Sequence, residues 1–186
     1  WQYFWYVPQN IPALIALTGG DKAFTNKLDQ FFTTTQQSGE LNSNASGFVG
    51  QYAHGNEASH HVAYLYNYAG QPWKTQQYVA HILTNLYNNS FSGYAGNDDC
   101  GEMSAWYIFS ARGFYPVNPA NGIYVIGCPL LEETCIQLPN GKQFTVKAPK
   151  RNEKDIYIQS ARLNGKNYNK TYLSHEDILK GGTLEF

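Results

Sequence analysis

The sequence predicts a mainly helical chain that ends in antiparallel β-hairpins, with the change near residue 115. Before this point, apolar residues recur at spacings of three and four, which is typical of amphipathic helices. After it, short alternating runs are separated by turn dipeptides such as Asn-Gly, which favour hairpins. The 186 residues are enough for one domain with a core, or for two small units that share one. We therefore divide the chain into a helical part, 1–115, and a β part, 116–186.

Five helices are predicted in the first part. A glycine pair at 19–20 ends the first, Asp21 or the preceding glycine caps the second, and the two form a hairpin. A loop rich in Ser, Asn and Gly leads to the third helix, which Gly70 ends, and Pro72 opens the fourth. Gly113 ends the fifth. The predicted helices cover residues 11–17, 21–32, 57–68, 72–86 and 104–111, with the loop over 38–50.

Two antiparallel hairpins and a last strand are predicted in the second part. Asn140-Gly141 lies between apolar residues at 136 and 144–146, and Asn164-Gly165 follows an apolar run at 156–158. Gly181-Gly182 precedes a strand over 183–186. These hairpins leave sheet edges that need covering, and five helices are too few to close a helical barrel. The chain is therefore expected to be part of something larger.

The composition excludes several classes of partner. Lys and Arg total 13 against 14 Asp and Glu, so the formal charge is −1, and no basic run is interleaved with aromatics. We therefore expect neither nucleic acid nor an anionic membrane surface as a partner. A membrane span is not expected either, because no apolar stretch reaches the roughly 20 residues that a span requires. Cys100, Cys128 and Cys135 form no CxxC pair, so neither a zinc ribbon nor a disulfide framework is supported. Aromatic residues make up 16% of the chain, which suits either a Tyr-rich core or stacking against sugars.

A first polar cluster, HGNEASHH, runs from His54 to His61. At the start of the third predicted helix, Asn56 would be the cap, and Glu57 would share one helix face with His60 and His61. The oxygens of Asn56 and Glu57 suit a hard cation such as calcium, whereas the imidazoles suit zinc or iron. The Glu57-x-x-His60 spacing also matches di-iron helical bundles, but the second copy that such bundles require is not found in the sequence.

A second polar cluster, GNDDCGE at 96–102, lies immediately before an apolar helix. Asp99 and Glu102 have the spacing of a capping box, which explains one carboxylate as a helix cap. Asp98 and Asn97 are left unexplained by that role. Carboxylates beside a helix N-terminus stay ionised because the helix dipole favours the anion, and an ionised carboxylate can act as a general base.

The two clusters belong to an ordered set of motifs that runs through nearly the whole chain. The motifs are WQY at 1–3, HGNEASHHVAYLY at 54–66, AGQPWKT at 69–75, GNDDCG at 96–101, MSAWY at 103–107, GFYP at 113–116, IQSA at 158–161 and LNGK at 163–166. Together these stretches resemble glycoside hydrolase family 92, the bacterial exo-α-mannosidases.

The resemblance implies a fold and a reaction. The family joins an N-terminal β-sandwich to an (α/α)6 barrel, so residues 1–115 would be the later barrel helices and 116–186 a closing β segment. The sandwich and the early barrel helices would lie outside this chain. The family inverts configuration, so a carboxylic acid protonates the leaving oxygen while a carboxylate across the ring activates water. Asp99 would be that base, Asp98 or Asn97 would help to hold the water, and the general acid Glu would lie upstream of this chain.

The resemblance also implies calcium as a cofactor that binds two mannose hydroxyls, with Asn56 and Glu57 as the matching ligands. The residues that would contact substrate or orient ligands are His54, Glu57, His61, Asn97 and Trp1. The expected partners are an α-mannoside glycan, such as an N-glycan or a mannan, and the N-terminal part of the same enzyme. A secreted, periplasmic or outer-surface location in a bacterium follows by resemblance. Without the upstream acid, the chain alone is expected to be inactive.

Two departures from the family pattern leave alternatives open. Gln9-Asn10 follows Val7-Pro8 where the family commonly has His-Asp, and Ala58 stands where it commonly has Pro. Because the first departure removes ionisable groups near a possible site, one alternative is a mannose-binding remnant without catalysis. Another is a zinc or iron hydrolase that uses the imidazoles of the first cluster.

Overall fold

Two hydrophobic cores organise the chain in the computed structural model, which describes residues 1–35, 45–149, 152 and 154–186. The helices are α1 (Ile11–Thr18), α2 (Asp21–Thr33), α3 (Pro72–Asn85), α4 (Glu102–Arg112) and α5 (His175–Leu179). Short 3₁₀ turns occupy Gln2–Trp5, Pro8–Asn10, Glu57–Ser59, Val62–Ala69 and Pro119–Asn121. Residues 38–44 of the predicted loop over 38–50 lie outside the described part of the chain, and the first strand lies near the end of that loop.

Four of the five predicted helices are confirmed as α1 to α4. The Asn10 side chain caps α1 by accepting a hydrogen bond from the Ala13 N–H at 3.1 Å, and Gly19 ends it with a φ of +101°. Pro72 opens α3, and Gly113 ends α4 with the same φ of +101°. α1 and α2 contact each other as the predicted hairpin. Glycine is suited to these ends because it adopts positive φ without a steric penalty.

The third predicted helix, over 57–68, is wrong. The chain instead forms the two 3₁₀ turns Glu57–Ser59 and Val62–Ala69. Residues 62–66 are all buried, so this segment has no polar face of the kind that an amphipathic α-helix presents to solvent. Within the first cluster, Glu57 is exposed to solvent, whereas His60 and His61 are buried. The expectation that these three side chains share one helix face therefore fails.

The strands are β1 (Phe48–Val49), β2 (Tyr52–Ala53), β3 (Phe114–Tyr115), β4 (Ile123–Ile126), β5 (Glu133–Gln137), β6 (Gln143–Lys147), β7 (Arg162–Leu163), β8 (Lys166–Asn167), β9 (Tyr172–Ser174) and β10 (Gly182–Glu185). They form a β1-β2 pair, a β3-β4-β9 sheet and a β5-β6-β10-β7-β8 sheet. All neighbouring strands run antiparallel except β10, which lies parallel to β6.

The first predicted hairpin is confirmed as β5-β6, and the second is confirmed at its Asn164-Gly165 turn, with the strands β7 and β8 on either side. Asn164 and Gly165 both have positive φ, at 51° and 76°, which suits the two-residue turn between β7 and β8. The predicted strand at 156–158 is wrong, because the Ile158 N–H donates to Gln76 Oε1 of α3 at 3.1 Å rather than to a neighbouring strand. Helix α5 was not predicted from the sequence, although its capping box is formed by Ser174 and Asp177.

The larger core lies among the helices, and the smaller one lies between α4, α5 and the C-terminal strands. The larger core contains Trp5, apolar residues from α1 to α4, and Val117, Val125 and Cys128 from the β part. The smaller core contains Phe114, Phe144, Val146, Leu173, Ile178 and Leu184. Side chains near residue 115 therefore serve both cores. The division at that residue, and the (α/α)6 barrel to which the helices would belong, stay predictions.

The cap of α1 provides a test of this local structure. Replacing Asn10 by Ala should lower the free energy of unfolding by about 1 kcal/mol, because the Ala13 N–H loses its acceptor. Asn10→Asp should keep most of that energy, since a carboxylate also accepts this bond. Thermal unfolding of both variants measures the difference, and an equal loss of stability in the two would contradict the assigned cap.

Candidate active site

Two tight glycines bring the two polar clusters together. A Cβ added at Gly96 would lie 2.5 Å from the Gly55 carbonyl oxygen, and one added at Gly55 would lie 2.6 Å from the Ala95 carbonyl oxygen. Real Cβ atoms do not approach backbone so closely, so both positions require glycine. The loop over 93–101 therefore lies directly on the 54–57 segment, and the clusters form one site.

His54 forms the buried floor of this site. Its ring is fully buried, with Nδ1 2.7 Å from the Tyr52 hydroxyl and Nε2 2.6 Å from the Tyr87 hydroxyl. The Trp106 ring packs against it edge to face, with the ring centroids 4.3 Å apart. Burial, together with the nearby His60, holds the pKa of His54 well below its usual value, so the ring is neutral near pH 7. A neutral imidazole donates from one nitrogen and accepts at the other, so the two tyrosines play opposite roles.

His60 and His61 also form buried hydrogen bonds. His60 Nε2 donates to the His54 carbonyl at 3.0 Å, and its Nδ1 lies 3.2 Å from Glu102 Oε1. His61 Nε2 donates to the Trp5 carbonyl at 2.7 Å. Burial lowers the pKa of both rings, although Glu102 opposes this effect at His60 and the Trp5 carbonyl opposes it at His61. The imidazoles of the first cluster thus join the N-terminal turn, the Glu57–Ser59 turn and α4.

Asn56 and Glu57 lie at the edge of the site with their side-chain oxygens available. Asn56 occupies the predicted N-cap position of the Glu57–Ser59 turn, but its side chain makes no capping hydrogen bond. Within the described residues, neither side chain has a hydrogen-bond partner, and Glu57 is exposed. Amide and carboxylate oxygens are ligands that calcium prefers. Calcium takes six to eight ligands, so these two residues would supply only part of a site. No cluster of three His, Cys, Asp or Glu suited to a metal occurs in the described part of the chain.

Asp98 holds the second cluster to helix α4. Its Oδ1 accepts hydrogen bonds from the Ser104 N–H at 3.0 Å and from the Ser104 hydroxyl at 2.9 Å. Its backbone carbonyl accepts from the Gly101 and Met103 N–H groups at 3.1 and 3.2 Å. The predicted capping box of Asp99 and Glu102 is wrong, because Gly101 is the N-cap residue and no side chain caps there. Asp98 satisfies the first turn of α4 instead.

Asp99 follows in a strained stretch of backbone. The φ angles of Asp99, Cys100 and Gly101 are +46°, +59° and +96°, so three successive residues are left-handed. Non-glycine residues rarely adopt this conformation, and where they do so together the surrounding structure must enforce it. The Asp99 side chain is exposed and makes no hydrogen bond with another described residue. Its oxygens are free to accept a proton from water.

The remaining predicted site residues lie around this centre. Asn97 is exposed beside Asp98, and its side chain has no hydrogen-bond partner among the described residues. Trp1 is 49% exposed, and the Lys27 ammonium lies 5.3 Å from its ring centroid. The turn that follows Trp1, Gln2–Trp5, contacts the Glu57–Ser59 turn. The structure therefore brings both clusters and the N-terminal turn to one region, and the substrate and metal roles of individual residues stay predictions.

Sequence reasoning missed the residues that support the site. Tyr52 and Tyr87 hold His54, and Ser104 holds Asp98, but none lies at a spacing that signals such a role. The signal for Gly55 and Gly96 was present, because each glycine directly precedes an Asn that begins a polar run. That pattern marks two tight loops, but it does not show that the loops contact each other.

Comparisons with known proteins define the class to which this chain belongs, a family of glycosyl hydrolases. A family model, glycosyl hydrolase family 92 catalytic domain, matches residues 1–186. A protein of Arthroderma benhamiae named as a secreted glycosidase is 34% identical over 188 residues, covering 100% of this chain and 22% of that protein. The family GH92 alpha-mannosidase BT3965 from Bacteroides thetaiotaomicron is 43% identical with a TM-score of 0.92, covering 100% of this chain and 24% of that one.

A second structure from the same organism, the family GH92 inverting mannosidase BT2199, is 40% identical with a TM-score of 0.86, and this chain covers 26% of it. The chain belongs to glycosyl hydrolase family 92. It spans about a quarter of the length of the relatives that it matches. The resemblance seen in its motifs is thereby confirmed.

The buried histidines predict how stability depends on pH. His54, His60 and His61 have pKa values lowered by burial, so the folded chain stays neutral at these rings where the unfolded chain takes up protons. Stability should therefore be fully present above about pH 6.5 and fall as the pH drops below it, by up to about 1.4 kcal/mol per pH unit for each ring.

Thermal unfolding between pH 7.5 and 5 measures this dependence. The matched control is His81→Gln, because His81 is exposed on α3 and its replacement should leave the slope in place. A midpoint that stays constant over this range, or rises toward acid pH, would contradict the buried neutral histidines.

Proposed function

We propose that this chain supplies the general base and part of the calcium site of an inverting exo-α-mannosidase. The observation that carries the proposal is the pairing of Asp98 and Asp99. Oδ1 of Asp98 accepts two hydrogen bonds from Ser104 that hold the loop, while the Asp99 side chain is exposed, has no hydrogen-bond partner among the described residues and lies on left-handed backbone. Strain of this kind clusters at functional sites.

Asp99 acts in this proposal as the general base. An inverting glycosidase protonates the leaving oxygen with one carboxylic acid while a carboxylate on the opposite face removes a proton from the attacking water. The carbon–oxygen bond to the leaving group breaks as the bond from water oxygen to the anomeric carbon forms. Asp99 takes the water proton, with Asn97 as a donor or acceptor to the same water, and a Glu outside these 186 residues is the acid. Asp98 contributes by holding the loop that carries Asp99. This differs from the role predicted from the sequence, in which Asp98 or Asn97 would hold the attacking water.

Asn56 and Glu57 are the proposed calcium ligands in this chain. A bound calcium ion would supply a positive charge that holds two sugar hydroxyls and favours a distorted ring. Asn56 and Glu57 would provide two of the six to eight oxygens that calcium takes, and the others would come from substrate, water and the rest of the enzyme. Their position beside Gly55 supports this role, because Gly55 lies against the loop that carries Asp99.

His54 supports the sugar site from beneath, because both of its ring nitrogens already bond to protein groups. His61 is fixed through its Nε2, which donates to the Trp5 carbonyl. The bonds at His54 weigh against the zinc or iron alternative at that ring, since a ring nitrogen that already holds a partner has no lone pair or position left for a metal. The departure at Gln9-Asn10 is partly explained, since Asn10 caps α1 as an Asp would.

The substrate proposed is an α-mannoside glycan, such as an N-glycan or a mannan, and the site of action is outside the cell. Two observations support these choices: the mannosidase relatives and the fungal relative named as secreted. In the described part of the chain, no helix is long and apolar enough to cross a membrane. Because the proposed acid lies elsewhere, we propose that these 186 residues hydrolyse nothing on their own.

Replacing Asp99 by Asn tests the base assignment in the intact enzyme. The variant should lose at least about 100-fold in kcat on 4-nitrophenyl α-mannoside, because the amide cannot take the water proton. Asp21→Asn is the matched control, since Asp21 is an exposed aspartate in the first turn of α2. Proton NMR of the first product should show β-mannose.

Normal turnover by Asp99→Asn would refute the assignment of Asp99 as the base. If calorimetry shows that the intact wild type binds mannose but no hydrolysis is detected, the binding-remnant alternative is favoured.

Chelation tests the calcium assignment. Excess EDTA should abolish activity, and added calcium chloride should restore it. Glu57→Gln should raise the calcium concentration needed for half-activity by about tenfold or more, because a charged ligand becomes neutral. Glu185→Gln, at an exposed glutamate on β10, is the control and should leave the calcium titration unchanged. Equal activity in EDTA would contradict a calcium role, and activity restored by zinc alone would revive the zinc alternative.

A further inference from the structure

We propose that Tyr94 and Ser104 are positioning residues that hold the Asp99 loop through a directional hydrogen-bond chain ending on Asp98. The Tyr94 hydroxyl lies 2.7 Å from Ser104 Oγ, and Ser104 Oγ lies 2.9 Å from Asp98 Oδ1. This inference rests on the proposed function of Asp99 and gives a role to two residues: Tyr94, which lies outside the sequence motifs, and Ser104, which lies within MSAWY at 103–107.

The direction of the chain follows from counting protons. A serine hydroxyl has one proton, and the ionised Asp98 carboxylate can only accept, so Ser104 must donate to Asp98. Ser104 Oγ then has no second proton to give and must accept from the Tyr94 hydroxyl. Both hydroxyl protons therefore point along the chain toward the carboxylate, an arrangement in which each bond polarises and strengthens the next.

The chain connects the two ends of the loop that carries Asp99. Tyr94 lies four residues before Asp98, and Ser104 lies in the first turn of α4, beyond the left-handed stretch at 99–101. The main chain of Ser104 adds a further bond to Asp98 from its N–H at 3.0 Å. Both ends of the loop are thus joined at one carboxylate, immediately before the residue proposed as the base.

The Tyr94 end of the chain is anchored on the floor of the site. The Tyr94 ring packs edge to face on Tyr87, with the ring centroids 5.8 Å apart, and the Tyr87 hydroxyl bonds to His54. Tyr94 is 43% exposed, so its hydroxyl could bond to water if it were not held by Ser104. Left-handed backbone at non-glycine residues persists where the surroundings over-determine it, and these contacts supply that determination.

The chain offers a matched control on the same helix. Tyr64 donates to Ser110 Oγ at 2.7 Å, so α4 carries a second serine-tyrosine bond. Ser110 lies six residues beyond Ser104, about 9 Å along the helix axis. The Tyr64–Ser110 pair is buried in the protein and lies away from the Asp99 loop. Removing the hydroxyl of Ser110 therefore tests helix packing without touching Asp98.

The experiment compares Ser104→Ala, Ser104→Thr, Tyr94→Phe and Ser110→Ala in the intact enzyme with calcium chloride, using 4-nitrophenyl α-mannoside. Ser104→Ala should lower kcat by about 10- to 100-fold while KM changes by less than about threefold, since a misplaced base slows the chemical step more than binding. Ser104→Thr keeps a hydroxyl, and its kcat should stay within about threefold of wild type.

Tyr94→Phe should lose about three- to tenfold in kcat. The double variant Tyr94→Phe/Ser104→Ala should be no slower than Ser104→Ala alone, because both substitutions break the same hydrogen-bond chain. Ser110→Ala should lower the thermal midpoint and keep the wild-type kcat.

A second comparison separates positioning from general damage. In an Asp99→Asn background, Ser104→Ala should cause no further fall in the residual rate, because the group that Ser104 positions is already gone. A further fall of the same size as in the wild type would overturn the positioning role. Wild-type kcat in Ser104→Ala, with Asp99→Asn inactive, would overturn it while leaving the proposed function standing. Normal turnover in Asp99→Asn itself would overturn the base assignment and the positioning role together.

Discussion

The backbone of Gly55 lies against the backbone of Gly96, and this contact makes one site out of two stretches of sequence about forty residues apart. Any side chain at either glycine would meet a carbonyl group that cannot move aside without moving its loop. The available oxygens of Asn56 and Glu57 thereby come to lie beside the loop that carries Asp99. The chemistry proposed for the chain depends on that proximity, because a base and a cation can act on one sugar only if both reach it.

The floor beneath this contact explains why so many polar side chains are buried. Unpaired polar groups cost free energy when they leave water, and His54 avoids this cost because both of its ring nitrogens have a tyrosine hydroxyl as partner. A fully bonded polar network is rigid because each member restricts the orientation of the next. The buried histidines therefore form a rigid floor beneath the site, while the exposed carboxylates remain available for reaction. The buried histidines thus contribute to stability, whereas the exposed carboxylates contribute to the proposed function.

The parts of the structure that depend on local rules could be predicted from the sequence. Helix ends at Gly19 and Gly113 and the turns at Asn140-Gly141 and Asn164-Gly165 follow from backbone preferences, which act within a few residues. The family was also recognisable, because its motifs are contiguous and ordered. The parts that failed depend on distant contacts. The segment 57–68 forms 3₁₀ turns packed in the core, and Ile158 donates to Gln76 on α3 instead of pairing with a strand.

The same distinction applies to the site. The two polar clusters could be found because unusual residues stand close together in the sequence. The division of labour inside the second cluster could not, because Asp98 and Asp99 are chemically identical neighbours. Their difference comes from Ser104, six residues beyond Asp98, and from the left-handed backbone at Asp99, neither of which leaves a signal in composition or spacing.

The contact between Gly55 and Gly96 is tested most directly by the activity of Gly96→Ala in the intact enzyme, measured beside Gly70→Ala. Gly70 has a positive φ and open space around its Cα, so its replacement strains the backbone without a clash. We expect Gly96→Ala to lose turnover on the order of 100-fold and to need more calcium, because the two loops are pushed apart, whereas Gly70→Ala keeps both properties. Wild-type turnover and calcium dependence in Gly96→Ala would show that the contact between the loops does not build the site.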